Sequence, residues 1–172
     1  ITSISNEEMI ALTKKYLPEL FESELDHLRN YAISIMSKLI NELVQEKEII
    51  SLEKKQIKPV FEKFLEEHPY VQFIYIVDTQ GKAIFGLTND MEHKKKFDKL
   101  LQKETFEDRE WFINPMKTGK IFVSKFYTSR ITGSLCITVS APIRNIDDEI
   151  IGVLGMDIRF EDLVKMERGD AE

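Results

Sequence analysis

Arg109 and Trp111 are separated by one residue, and their chemistry is the easiest in the chain to name. In an extended segment, side chains at i and i+2 point the same way. The planar fork of an arginine holds a carboxylate by two parallel hydrogen bonds, a geometry lysine does not match. An indole beside it supplies an apolar wall and one N–H donor. Tyr127 lies sixteen residues after Trp111, at the end of an expected strand, and adds a hydroxyl that can join the same anion. Asp157 shares a strand face with Gly155 and Val153. A glycine there permits close approach of a ligand or of another backbone, and the aspartate is placed to receive an ammonium group. Each of these also has an ordinary structural role. Arg109 can pair with Asp108 or Glu107, Trp111 can be core, and Asp157 can cap the final helix.

Catalytic constellations are missing from the sequence pattern. His27, His68 and His93 fall on helical stretches with no pair at a ligand spacing. With the single Cys136 they form neither a His/Cys zinc site nor a Cys–His nucleophile pair. Gly152 and Gly155 lie within a strand and do not make a phosphate-cradling loop. The many carboxylates scatter along helix faces. The expectation is no catalytic residue, no cofactor and no metal.

The 172 residues amount to one domain's worth of chain, with 42% apolar and 31% charged residues and a net charge of −6. That balance argues against nucleic-acid binding, which needs a basic footprint. Six basic residues nevertheless fall between Arg109 and Arg144, against the single acid Glu110. Such a local excess can attract a small anion, or it is a solvated surface. No run is apolar enough to span a membrane. The chain begins with Ile and ends RGDAE, which reads as a segment of a longer protein.

The elements that must position these residues follow from periodicity. Ser5 and Glu8 form a capping box that starts a helix near Asn6. Pro18 starts a second, longer one. Its apolar stripe runs Phe21, Leu25, Leu28, Ala32, Ile35, Leu39, Leu43, widened by Ile33, Met36, Ile40 and Val44. Such a helix packs along its own sheet or pairs with a copy of itself in a homodimer. Ser51 is expected to cap a further helix running to Glu67. Strands are expected at 71–77 and 82–85, joined by the turn at 78–81, and a short helix within 89–103. The stretch 106–120 reads as a loop marked by Pro115 and Gly119. Strands at 122–128, 134–143 and 150–158 and a final helix from Glu161 complete an α+β pattern with one five-stranded antiparallel sheet. The organisation is a helical segment over 1–68, the sheet-bearing unit over 69–160, and an exit helix over 161–172.

The long leading helix, FIYIVDTQGKAI at 73–84, DREWF at 108–112, SKFYTSRITGSLCITVSAPI at 124–143 and EIIGVLGMDI at 149–158 together resemble a Cache domain. This is the PAS-like extracytoplasmic sensor module of chemoreceptors, histidine kinases and cyclic-dinucleotide enzymes. The resemblance covers nearly the whole chain and is of the single-module type. It implies a PAS-like sheet with the long helix packed along it, and a membrane-embedded parent, with a sensor histidine kinase foremost. Members that bind amino acids carry Arg-x-Trp-Tyr, then Tyr, then Asp on the last strand. Arg109, Trp111, Tyr127 and Asp157 match. Phe112 stands where the second aromatic is Tyr, and Glu104 where a Tyr precedes the Arg. The ligand implied is a small carboxylate or an amino acid. The alternative is a ligand-free structural or dimerisation module; a cytoplasmic PAS domain with an apolar or flavin ligand fits Arg109 and the long helix less well.

Overall fold

The structure is a computed structural model that describes residues 5–16, 18–103 and 105–171. Two helices lead: α1 (Asn6–Tyr16) and α2 (Pro18–Leu43). The capping box is present, with the Ser5 N–H donating to Glu8 Oε2 at 2.8 Å and the Glu8 N–H to Ser5 Oγ at 3.1 Å. At 26 residues, α2 is about 39 Å long. Its buried line is Leu28, Ala32, Met36, Ile40 and Leu43, mostly four residues apart, and Ile33, Ile35 and Leu39 of the expected stripe pack partly buried against the same core. Phe21 contributes a side chain outside the described ones.

Next come α3 (Lys47–Ile50), α4 (Lys54–Glu67), β1 (Val71–Asp78) and β2 (Ala83–Thr88). A 3₁₀ turn at Met91–His93 then leads into α5 (Lys94–Lys103), followed by α6 (Glu110–Thr118). The rest of the sheet is β3 (Phe122–Val123), β4 (Tyr127–Thr128), β5 (Leu135–Arg144) and β6 (Ile150–Arg159), and α7 (Phe160–Ala171) closes the chain. All pairings are antiparallel, in the order β2-β1-β6-β5-β3 with β4 also on β5. The fold is α+β and PAS-like.

Both faces of the sheet are covered, which is why β1 is buried almost throughout. Strand alternation divides its side chains. Ile74 and Ile76, with Ile137, Val139, Leu154 and Met156, face α2 and α4 in the larger core. Phe73, Tyr75, Val77 and Val153 face the other way, toward Phe97 of α5 and Trp111 and Phe112 of α6. The site residues belong to this second, more aromatic face.

Three local expectations are corrected. The stretch read as a loop contains α6. Pro115 sits inside that helix and Gly119 ends it in the left-handed region at φ +67°, a geometry glycine adopts without a Cβ clash. Pro115 has no N–H for the Trp111 carbonyl four residues back, and the Ser140 hydroxyl on β5 donates to that carbonyl instead at 2.7 Å. The proline therefore ties the helix to the sheet. Second, the single expected strand at 122–128 is two short ones, giving six strands among the described residues in place of five. At the break the Thr138 N–H donates to Ser124 Oγ, and Arg29 on α2 takes the Val123 and Ser124 carbonyls at 2.8 and 3.2 Å. Third, Ser51 closes α3 as its C-cap, and Glu53 occupies the N-cap of α4. Leu52 between them takes φ +56°, and that left-handed residue separates the two helices.

Ser140→Ala is expected to cost about 1–3 kcal/mol by stranding the buried Trp111 carbonyl. Adding Pro115→Ala in that background should recover part of the loss by supplying the missing N–H. Urea unfolding of both singles and the double measures the coupling. Strictly additive losses would show that the carbonyl is not the link.

Candidate functional site

The second face of the sheet encloses a small cavity. Its floor is Tyr75 of β1 and Asp157 of β6. Leu100 and Leu101 of α5, with Phe106 and Trp111, supply apolar wall, and Arg109, Tyr127, Ser129, Arg130 and Ile131 complete the rim. The space open to the centre of a water molecule is about 40 Å³, enough for a few waters or one small molecule.

Each wall is pinned by its own backbone chemistry. The Phe106 N–H donates to the Gly81 carbonyl at 2.8 Å, and Lys82 bridges Thr105, so the segment entering the site is fastened to the β1–β2 turn. Arg109 is the N-cap of α6 in extended geometry, and no side chain caps that helix. The Arg109 carbonyl accepts the Phe112 and Ile113 N–H groups, and among the described residues no hydrogen bond takes the Glu110 and Trp111 N–H groups that precede them. Across from it, Ser129 Oγ accepts the N–H groups of Ile131 and Thr132. This turn holds Ile131 and Arg130 against the opening.

The floor is built around a buried carboxylate. Asp157 is 7% exposed. Its Oδ1 accepts the Tyr75 hydroxyl at 2.7 Å and the Thr138 hydroxyl at 2.8 Å. Since Thr138 spends its proton on Asp157, Tyr127 donates to Thr138, at 2.5 Å. No hydrogen bond among the described residues reaches Oδ2. Burial pushes the Asp157 carboxyl up to about 6, against the pull of the two hydroxyls and the more distant Arg109. Burial beside that carboxylate raises the Tyr75 and Tyr127 hydroxyls as well, so both are protonated donors at neutral pH. Cys136, paired with Tyr127 across β4 and β5, is likewise pushed up to about 12 and remains a thiol.

Arg109 is half-buried and, among the described residues, forms no ion pair and donates no hydrogen bond; neither Asp108 nor Glu107 holds it. Trp111 is at once core and cavity wall, 5% exposed and edge-on to Tyr75 at a centroid distance of 5.0 Å. Arg109, Trp111, Tyr127 and Asp157 are therefore brought together, although Arg109 and Trp111 meet at a helix start where an extended loop was expected. Phe112 packs in the aromatic core beside the cavity without lining it. Asp157 caps no helix among the described residues, its hydrogen bonds there going to Tyr75 and Thr138 alone. The approach that Gly155 permits is taken up by Tyr75, because a Cβ there would sit 2.5 Å from Tyr75 Cε2. Glu104 lies outside the described residues.

Sequence reasoning missed Tyr75, Thr138, Leu100, Leu101, Phe106, Ser129 and Ile131. Tyr75 had a readable signal. It alternates with Phe73 and Val77, and pairs across the strands with a glycine that leaves room for its ring.

The raised Asp157 carboxyl makes stability depend on pH. Between about 4 and 6 the native state holds a proton that the unfolded chain has released. This contribution is therefore fully present below about pH 4, is lost as pH rises to about 6, and is flat above that. The two-unit difference amounts to roughly 3 kcal/mol at neutral pH. Asp157→Asn keeps an acceptor for both hydroxyls and removes the charge. It is expected to raise the ligand-free melting temperature at pH 7.5 and to flatten the pH 4–6 slope. Thermal melts across pH check this, and an unchanged slope would show that Asp157 is not the group.

The profile of the family described as "methyl-accepting chemotaxis protein-like, first PDC sensor domain" matches residues 57–165. Among curated relatives, a citrate (Re)-synthase of Syntrophus aciditrophicus is 38% identical over 165 residues, covering 96% of this chain and 26% of that protein. Sporulation kinase D of Bacillus subtilis is 26% identical over 107 residues, 60% of this chain and 19% of the kinase. The chain thus spans about a quarter of the first and a fifth of the second, and what either whole protein does is not carried over by the shared segment. Among solved structures, the ligand-binding domain of the Campylobacter jejuni chemoreceptor Tlp3 in complex with L-valine superposes with a TM-score of 0.58 at 20% identity. The match covers 93% of this chain and 63% of that one, a likeness of fold. A profile match over more than half the chain, centred on the sheet that carries the cavity, is decisive: the chain belongs to the PDC (Cache) sensor-domain family.

Proposed function

We propose that this domain senses a small amino acid, with a simple carboxylate as the nearest alternative ligand, on the outer side of a membrane. One observation carries the reading. Arg109, which has no partner among the described residues, lines the same small cavity as a buried Asp157 whose Oδ2 accepts no bond there. A zwitterion matches both. Its carboxylate meets the guanidinium fork and the uncapped first turn of α6. Its ammonium meets Asp157 and favours the ionised form that burial disfavours. Leu100, Leu101, Phe106 and Ile131 leave apolar surface for a side chain. That Tlp3 binds L-valine supports the ligand class without fixing it.

The parent would be a transmembrane receptor with a histidine kinase or chemoreceptor output, the kinase being supported by the similarity to sporulation kinase D. No helix among the described residues is long and apolar enough to cross a membrane, so the spans would lie outside this segment. The exit helix over 161–172 would lead toward one of them. Transmission has a physical candidate in Arg29. It connects α2 to the break that precedes Tyr127, so closure of the rim on a ligand would load the long helix directly.

A thermal-shift screen of amino acids, mono- and dicarboxylates and neutral controls is the test, since a ligand of the native state raises the melting point with its concentration. Arg109→Ala is expected to weaken the hit by about 10–100-fold, the worth of a charged hydrogen-bonded pair, and Arg109→Lys to restore only part. Asp157→Asn separates the classes: it weakens an amino acid and spares or improves a simple carboxylate. A flat screen, or a ligand indifferent to Arg109→Ala, overturns the assignment in favour of a structural or dimerisation module.

A further inference from the structure

A second cluster of chemistry lies away from the cavity, where β2 runs into the 3₁₀ turn ahead of α5. Asp90, Glu92 and His93 each offer a ligand-type atom there, all within 4.8 Å of one another. Asp90 Oδ1 accepts the His93 N–H at 3.1 Å, and Asp90 Oδ2 lies 2.9 Å from His93 Nδ1. Such a cluster alone is a capped turn.

What sets it apart is Gln72 beneath it. This glutamine is 3% exposed. Its Nε2 donates to Asp90 Oδ2 at 2.7 Å, so the side chain reaches the cluster through its nitrogen, and the buried Oε1 of the same amide has no partner among the described residues. Buried amide oxygens are normally satisfied. The backbone around them is fixed: the Gln72 carbonyl accepts the Thr88 hydroxyl at 2.7 Å and the Asn89 N–H at 3.0 Å. Asn89 Nδ2 donates to the Val71 and Leu65 carbonyls at 2.9 and 3.2 Å.

We propose that this corner is a divalent-cation site, with His93 Nδ1, the Asp90 and Glu92 carboxylates and Gln72 Oε1 as ligands. Ligands of a tetrahedral ion at bond lengths of 2.0–2.2 Å stand about 3.4 Å apart. Asp90 and His93 are already near that spacing. Glu92, long and exposed, supplies the remaining closure. Binding replaces the Asp90–His93 hydrogen bond, and any proton on Nδ1 passes to solvent with the ring held as the Nε2–H tautomer. An imidazole among oxygens favours Zn²⁺ over the hard ions Ca²⁺ and Mg²⁺, which select all-oxygen shells. The His27–Glu167 contact at 2.9 Å between α2 and α7 is the main competing place for such an ion.

Isothermal titration of the untagged, chelator-stripped protein with ZnCl₂ tests this, with CaCl₂ and MgCl₂ titrated in parallel. The expected result is one Zn²⁺ per chain, bound at least tenfold more weakly after His93→Ala and after Glu92→Gln, while His27→Ala changes nothing. Both weakening substitutions are near the surface, and melts of the metal-free variants verify folding. Gln72→Leu is expected to weaken binding as well, which separates a ligating amide from a bystander. Absence of Zn²⁺ binding, binding indifferent to His93→Ala, or Ca²⁺ or Mg²⁺ bound as tightly as Zn²⁺ overturns the proposal.

Discussion

The second face of the sheet depends on how one carboxylate is kept in a place that disfavours its charge. Asp157 sits on β6, the central strand, with β1 on one side and β5 on the other. One hydroxyl from each flanking strand is spent on the same oxygen, Oδ1. Tyr75 reaches it diagonally across the space left by Gly155, and Thr138 stands directly opposite in the ladder. Satisfying one oxygen completely while leaving the other toward a cavity is different from satisfying both. The first arrangement keeps an acceptor available, and the second would make a closed structural bridge.

That carboxylate makes the surrounding aromatic packing intelligible. Tyr75 cannot turn away without giving up its bond to Asp157, so Trp111 and Phe106 pack against a ring whose orientation is already decided. Trp111 in turn is held from behind, its carbonyl bound to Ser140 because Pro115 vacates it. The start of α6, and with it Arg109, is therefore located by contacts to β1 and β5 together. The positively charged side of the cavity and its negatively charged floor are placed by one connected set of bonds and ring contacts.

Much of this was legible in the sequence, for identifiable reasons. Strands such as 71–77 and 150–158 combine β-branched residues with bounding turns, and α2 has a long unbroken 3.6-residue period; both signals are local. Two of the misreadings share one cause. Pro115 and Gly119 are loop formers in isolation, and only the Ser140 hydroxyl, twenty-five residues further on, makes a proline affordable inside α6. The break in the 122–128 strand has the same origin, since Arg29 lies more than ninety residues before the carbonyls it takes. Of the five candidate residues, Arg109, Trp111, Tyr127 and Asp157 line one cavity; their chemistry was readable from residue type, and their meeting is the work of the sheet. Tyr75, Thr138 and Ser129 went unnoticed because a hydroxyl on a strand acquires a role only from the strand beside it.

The same non-local logic bears on why such a floor persists in a fold that would be more stable without it. A neutral side chain at position 157 would keep both hydroxyl contacts and escape the desolvation that holds the carboxyl near 6. The cost of the charge is present whenever the cavity holds only water, and it shrinks when a cation arrives at the free oxygen. Whatever stabilises the ionised Asp157 is thus favoured by the very strain it relieves, and the gain is delivered to β1, β5 and β6 at once. Arg29 extends that reach. Its two bonds to the break after β3 make the strand edge beside Tyr127 and the long helix α2 parts of one mechanical unit. A change at the floor can then reach α2 without a rearranged core, since the hydroxyl chain Tyr127–Thr138–Asp157 and the Arg29 contacts begin three residues apart in the chain.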